Sequence, residues 1–157
     1  MKNMFKALGL DLILLSFIVT TALTSAANAA DNAGLIKTSK GNVNIERNGA
    51  SLPATIGTEL FVSDTIVTGT DGSVGITLQD GTLLSAGPKS KLILNKFVFD
   101  ATTGKGELDA SIKRGTLAVV SGKLSKTSKD AVVYRTPTSI LGVRGTEFII
   151  EAGDEEK

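Results

Sequence analysis

The stretch GTELFVSDTIVTGTDGSVGITLQDGTLLSAGPKSKLIL, residues 57–94, decides the fold. Apolar side chains fall at every second position in it, as at Val74, Ile76 and Leu78, and Gly, Asp and Pro interrupt the runs at short intervals. A two-residue period gives one buried and one wet face, the pattern of a half-buried strand. No long run after the N-terminal segment carries helical apolar spacing. The chain therefore reads as all-β, with strands recurring about every 8–12 residues, the spacing of a sandwich, barrel or coil.

With 157 residues the chain has room for one ordinary domain. Lys2 and Lys6 precede an apolar run at residues 12–23, and Ala27-Asn28-Ala29 puts small residues where a signal peptidase reads. That is the three-part grammar of a secretory signal, residues 1–29, with cleavage expected after Ala29 and a domain left at residues 30–157. The run is shorter than the roughly 20 apolar residues of a spanning helix, and Thr20-Thr21 lies within it. Asp11 fits a signal poorly.

Cleavage would take the basic residues from 17 to 15 and the acidic ones from 16 to 15, leaving a neutral domain. A neutral domain has no long-range attraction for phosphate backbones or anionic lipid, so neither nucleic acid nor stable membrane insertion after cleavage is expected. The absence of Cys excludes disulfides and a lipid-modified cysteine. Without His as well, Ser-His and Cys-His nucleophile pairs and the common zinc sites are excluded, and no catalytic residue, metal or cofactor is expected. The expected location is periplasmic or secreted, in a bacterium.

Taken in order, residues 35–47 read as a first strand pair with Val43 and Ile45 on one face, followed by Asn48-Gly49, the dipeptide best suited to a two-residue hairpin. That loop sets Arg47 opposite Ala50, Ile45 opposite Leu52 and Val43 opposite Ala54, and Pro53 confines the return strand to an edge. Turns follow at Ser63-Asp64 and residues 69–72. At Asp80-Gly81 a two-residue loop opposes Leu78 with Leu83, a three-residue loop opposes it with Leu84, and a chain that coils onward has no hairpin there. Residues 91–99 form a long strand and 100–106 a loop, and strand structure resumes from Ile112. Residues 121–130, with Lys123, Lys126 and Lys129, read as a solvated loop or edge protection. Residues 132–134 form a strand, 139–144 a turn, and 146–150 a last strand with Phe148 and Ile150 inward; the charged end from Glu151 is expected to fray.

The order of these turns resembles the FecR-type domain, a bacterial periplasmic module. The resemblance lies in Gly41-Asn42-Val43, Ile56-Gly57, Ser63-Asp64-Thr65-Ile66-Val67-Thr68, Leu78-Gln79-Asp80-Gly81-Thr82, Gly87-Pro88-Lys89-Ser90 and Lys113-Arg114-Gly115-Thr116-Leu117. It closes with Thr136-Pro137-Thr138 and Gly142-Val143-Arg144-Gly145-Thr146-Glu147-Phe148, and covers a core of about residues 41–150. It implies a rolled β-sandwich or β-solenoid-like domain that binds other proteins and turns over no substrate. In full-length family regulators such a domain follows a cytoplasmic anti-sigma segment and a membrane helix, and a further C-terminal part touches an outer-membrane transporter. Here a signal peptide is expected in place of the cytoplasmic segment, and the strands that usually follow the closing motif are expected to be either truncated or abbreviated.

Four residues are singled out for an interaction or a structural lock: Asp64, Asp80, Arg144 and Thr146. Asp64, Asp71 and Asp80 sit beside Ser or Gly in turns, where an aspartate ordinarily caps its own backbone. Arg144, between Gly142 and Gly145, either meets a partner or locks neighbouring turns by burying its guanidinium against Asp64 or Asp80. The functional expectation is a non-enzymatic envelope module that binds a protein partner in signalling or iron-responsive regulation. An envelope glycan-binding module is the alternative, since Asp, Asn and Thr on a sheet surface can hydrogen-bond sugars, although aromatic platforms are scarce and Tyr134 is the only tyrosine; a hydrolase using Asp64 and Asp80 is a third reading.

Overall fold

A computed structural model of the chain describes residues 32–127 and 130–153, so the segment read as a signal, residues 1–29, lies outside the described residues. Twelve strands and one short helix follow in order: β1 Asn32–Lys40, β2 Val43–Arg47, β3 Ala50–Pro53, β4 Glu59–Phe61, β5 Thr65–Thr68, β6 Ser73–Leu78, β7 Leu83–Ala86, β8 Lys91–Phe99, β9 Gly106–Val120, α1 Leu124–Thr127, β10 Val132–Arg135, β11 Ile140–Gly142 and β12 Glu147–Ala152. Neighbouring strands are antiparallel except β9 and β10, which run parallel. The chain is thus a rolled sandwich, and the solenoid-like alternative gives way to hairpins.

The roll turns on β9. Its first half pairs with β8 on one side and β10 on the other, in the order β3-β2-β5-β8-β9-β10-β11. Its second half pairs with β7 and β12, in the order β4-β1-β6-β7-β9-β12. Gly115 stands between the halves at φ +85°, a left-handed value that lets the strand bend from one sheet into the other. A Cβ there would overlap the backbone and side chain of Ser90.

Buried hydroxyls brace this corner. Ser90 Oγ accepts from Thr116 N (3.0 Å) and donates to Thr116 O (3.2 Å), and Ser90 N donates to Thr68 Oγ1 (2.8 Å). Thr68 Oγ1 in turn donates to Gly87 O (2.6 Å), so β5, the turn before β8 and the bend of β9 share one network. Between the sheets lies a single apolar core built from alternate positions, including Ile36, Ile45, Ile66, Leu84, Leu92, Ile112 and Leu117. Each such side chain contributes about 1.5–3 kcal/mol by leaving water. Tyr134 of β10 meets Phe148 of β12 edge to face at 5.3 Å, joining the two sheets.

The first hairpin has the expected register: Arg47 opposes Ala50, Ile45 opposes Leu52, and Ala54 N donates to Val43 O (3.0 Å). Asn48 and Gly49 take φ values of 50° and 79°, and the strand ending at Pro53 is an edge. Elsewhere long-range packing changed the outcome. β1 and β2 are not partners; the chain crosses between sheets at Gly41 and Asn42, where Asn42 O accepts from Gly69 N (2.8 Å) and Asn42 N donates to Asp71 Oδ1 (3.3 Å). At Asp80-Gly81 the loop holds three residues, but they are 79–81, one position earlier than expected, and Leu78 N donates to Thr82 O (2.9 Å), so Leu78 faces Thr82 and neither leucine.

Strand structure begins at Gly106, ahead of the expected Ile112, because residues 106–112 are clamped between β8 and β10. Residues 121–130 carry α1, whose Leu124 is wholly buried while Lys123 and Lys126 are exposed; Lys129 lies outside the described residues. The turn expected at residues 139–144 holds β11, hairpinned to β10. β12 continues to Ala152, with Phe148, Ile150 and Ala152 inward, so Glu151 belongs to a strand and not to a frayed end.

Asp109 ties β9 to β10 by accepting from Arg135 Nε (2.9 Å) and pairing with its Nη2 (2.8 Å), while Asn95 Nδ2 donates to it at 2.7 Å. The Arg135 hydrogen bonds chiefly hold its carboxyl below the usual carboxylate range; burial opposes them, and the Asn95 bond adds a smaller lowering. A carboxyl depressed in the folded state stabilises fully above its unfolded value of about 3.9 and loses that contribution as pH falls below it. Asp109→Asn is therefore expected to lower stability at neutral pH by no more than about 1 kcal/mol, since the pair is partly solvated, and to flatten the decline below about pH 4. Denaturant midpoints across a pH series check this. Gly115→Ala is expected to cost about 3 kcal/mol or more, whereas Gly81→Ala, at the same φ of 85° but with open space around it, should cost about 1 kcal/mol. Paired denaturant titrations separate the overlap with Ser90 from backbone strain.

Candidate functional site

Asp64 is 1% exposed and sits at the sharp turn between β4 and β5, where Ser63 takes φ 74°. Its Oδ2 accepts from Phe61 N (2.9 Å), and both oxygens accept from Arg47, Oδ1 from Nε and Oδ2 from Nη2, each at 2.7 Å. Arg47 also donates to Glu59 O (2.8 Å) and lies 4.5 Å above the Phe61 ring. The Asp64 hydrogen bonds raise the Arg47 pKa above its ordinary value. The arginine that locks Asp64 is thus Arg47, from the first hairpin. Sequence placed Arg47 only as a register mark, since no local pattern joins residues 17 apart. These side chains line a cleft of about 550 Å³ with Asn32, Asn48 and Glu59.

Asp80 is fully buried at the β6–β7 turn. Its Oδ1 accepts from Thr82 N (3.0 Å) and its Oδ2 from Thr82 Oγ1 (2.7 Å) and Leu124 N (3.3 Å), while its carbonyl accepts from Lys123 N (2.9 Å). Gly122 N donates to Thr82 Oγ1 (3.1 Å), so one aspartate holds the turn and the start of α1 together. Among the described residues Asp80 makes no ion pair. Burial, with the nearby Asp80 charge second, pushes the Tyr134 phenol above its ordinary pKa. Tyr134 is buried in the core, so it offers no ring for a sugar.

The structure does not bring the four singled-out residues together. Arg144 is exposed and makes no ion pair among the described residues, so the expected burial of its guanidinium against Asp64 or Asp80 is corrected: those carboxylates are already satisfied by Arg47 and by backbone donors. Thr146 is exposed, and its carbonyl accepts from Ser121 N (3.2 Å) at the entry to β12. The backbone at Gly145 runs close to the aliphatic stem of Lys126. No group of three or more acidic, His or Cys side chains gathers around a common centre among the described residues.

The outer face of the second sheet carries the other surface feature. Thr38, Gly75, Ser85, Ala118 and Ile149 form one register row across β1, β6, β7, β9 and β12, flooring a shallow groove of about 510 Å³. In the next row Leu83 opposes Val120, which opposes Glu147. Leu83 and Val120 are exposed, and Ile149 is 75% exposed, so an apolar patch flanks β12. The alternation of residues 146–150, with Phe148 and Ile150 inward, already placed Ile149 outside; its neighbours across the sheet were not legible.

A family model described as FecR protein matches residues 64–157. No curated protein and no solved structure matches the chain.

Asp80→Asn sets a donor against donors and is expected to cost about 2–4 kcal/mol, read as a lowered unfolding midpoint. Arg144→Lys, on an exposed turn, should leave the midpoint within about 0.5 kcal/mol of the parent.

Proposed function

Because this chain belongs to the FecR protein family, we propose that it works as a non-catalytic protein-binding module of the bacterial cell envelope. In this reading residues 1–29 direct export, the domain acts in the periplasm or outside the cell, and its task is signalling or iron-responsive regulation. One observation carries the reading: among the described residues, three of the exposed large apolar side chains, Leu83, Val120 and Ile149, share one face beside β12, near the exposed turn of Arg144, whereas Leu52, Ile56, Val98 and Ile140 lie on other strands and loops. A patch of this kind beside charged residues suits a protein partner.

The turn aspartates support the same reading. Asp64 and Asp80 are buried acceptors whose lone pairs are engaged by Arg47, Thr82 and backbone donors, so neither is placed to abstract a proton from a substrate. Arg144 and Thr146, both exposed at the entry to β12, are assigned to the partner-binding surface.

A photo-crosslinking side chain at Ile149, in protein expressed in its native envelope, is expected to give a discrete protein adduct, and the same group at exposed Val98 of the other sheet is expected to give none. Adducts from both positions alike, or retention on cell-wall glycan with no protein adduct, would overturn the proposal.

A further inference from the structure

We propose that the open edge of β12 receives an extended segment of a partner protein, added antiparallel as a further strand, and that this segment carries Lys or Arg two positions to either side of an apolar residue. The inference deepens the protein-binding reading above and rests on it.

Main-chain geometry defines the edge. Antiparallel partners alternate between hydrogen-bonded and non-bonded pairs. Ser121 N donates to Thr146 O, so the bonded pairs with β9 recur at residues 148, 150 and 152. Glu147, Ile149 and Glu151 therefore turn their N–H and C=O groups away from β9. Among the described residues no strand pairs with that side of β12.

The other edge strands, β3, β4 and β11, are poor templates. β4 and β11 have three residues each, and β3 has four and ends in Pro53, which has no N–H to offer. β12 has six residues, without proline or lysine. An added strand would extend the outer-face row that ends at Ile149, setting its central apolar residue beside Ile149 and enlarging the patch with Val120 and Leu83.

Charge selects the occupant. Glu147 and Glu151 are exposed on the same face as Ile149, and neither makes an ion pair among the described residues. Symmetric pairing with a second copy about Ile149 would set Glu147 opposite Glu151 at both ends, and like charges directly opposite are destabilising. A one-residue slip would turn the inner face of the incoming strand outward. A cationic, apolar, cationic alternation meets Glu151, Ile149 and Glu147 in one register.

The test uses the purified chain and a capped seven-residue peptide with lysines two positions to either side of a central isoleucine, read by fluorescence anisotropy. Binding is expected to weaken about tenfold or more when the peptide lysines become glutamates. Ile149→Pro removes an outward N–H and spares the bonds to β9; with its unfolding midpoint checked, it should weaken binding to a similar degree. The surface double variant Glu147→Lys, Glu151→Lys should reverse the preference in favour of the glutamate peptide. Equal affinity for the two peptides, unchanged binding by Ile149→Pro, or dimerisation of the parent chain through β12 would each overturn strand addition. A protein adduct at Ile149 with all peptide results negative removes only this inference; absence of any protein adduct removes the broader reading.

Discussion

The bend of β9 at Gly115 is the constraint on which the rest of the molecule depends. A strand of 15 residues that stayed straight would extend one sheet and leave each inner face open to water. Because the chain turns at a positive φ against Ser90, the two halves of β9 belong to different sheets and their apolar faces close on each other. Thr68, Ser90 and Thr116 make the corner satisfiable, since each buried hydroxyl or amide there has a partner. Buried polar groups are stabilising only when so connected.

The same logic runs through the aspartates. Asp64 and Asp80 look alike in sequence, each within a turn, yet the fold treats them differently. Asp64 meets the planar fork of Arg47, partly open to solvent, in a bidentate pair that joins the first hairpin to the β4–β5 turn. Asp80 is wrapped in backbone and hydroxyl donors and anchors the segment that leads into α1. Both are spent on architecture. Function, in the proposed reading, falls to what architecture leaves outside: an edge strand, an apolar patch and an exposed arginine turn.

That division explains why the family resemblance was easier to read than the surface. Gly115, Ser90, Asp80, Thr82 and Thr68 all fall in the motifs that carry it, and each has a structural task at a bend or corner. Arg144 and Thr146 lie in the closing motif and face solvent. The match over residues 64–157 extends through β12, the strand whose open edge lies next to the exposed patch.

The sequence by itself determined the all-β class, the Asn48-Gly49 hairpin with its register, the edge position of Pro53 and the inward face of Phe148 and Ile150. These follow from local rules, a two-residue period and the backbone preferences of Gly, Asn and Pro, which act over a few residues. Only the tertiary structure decided that β1 and β2 part company, that Asp64 belongs to Arg47 and not to Arg144, and that residues 106–112 extend β9. Each of those outcomes joins groups distant in sequence, and a two-residue period says which face is buried without saying against what.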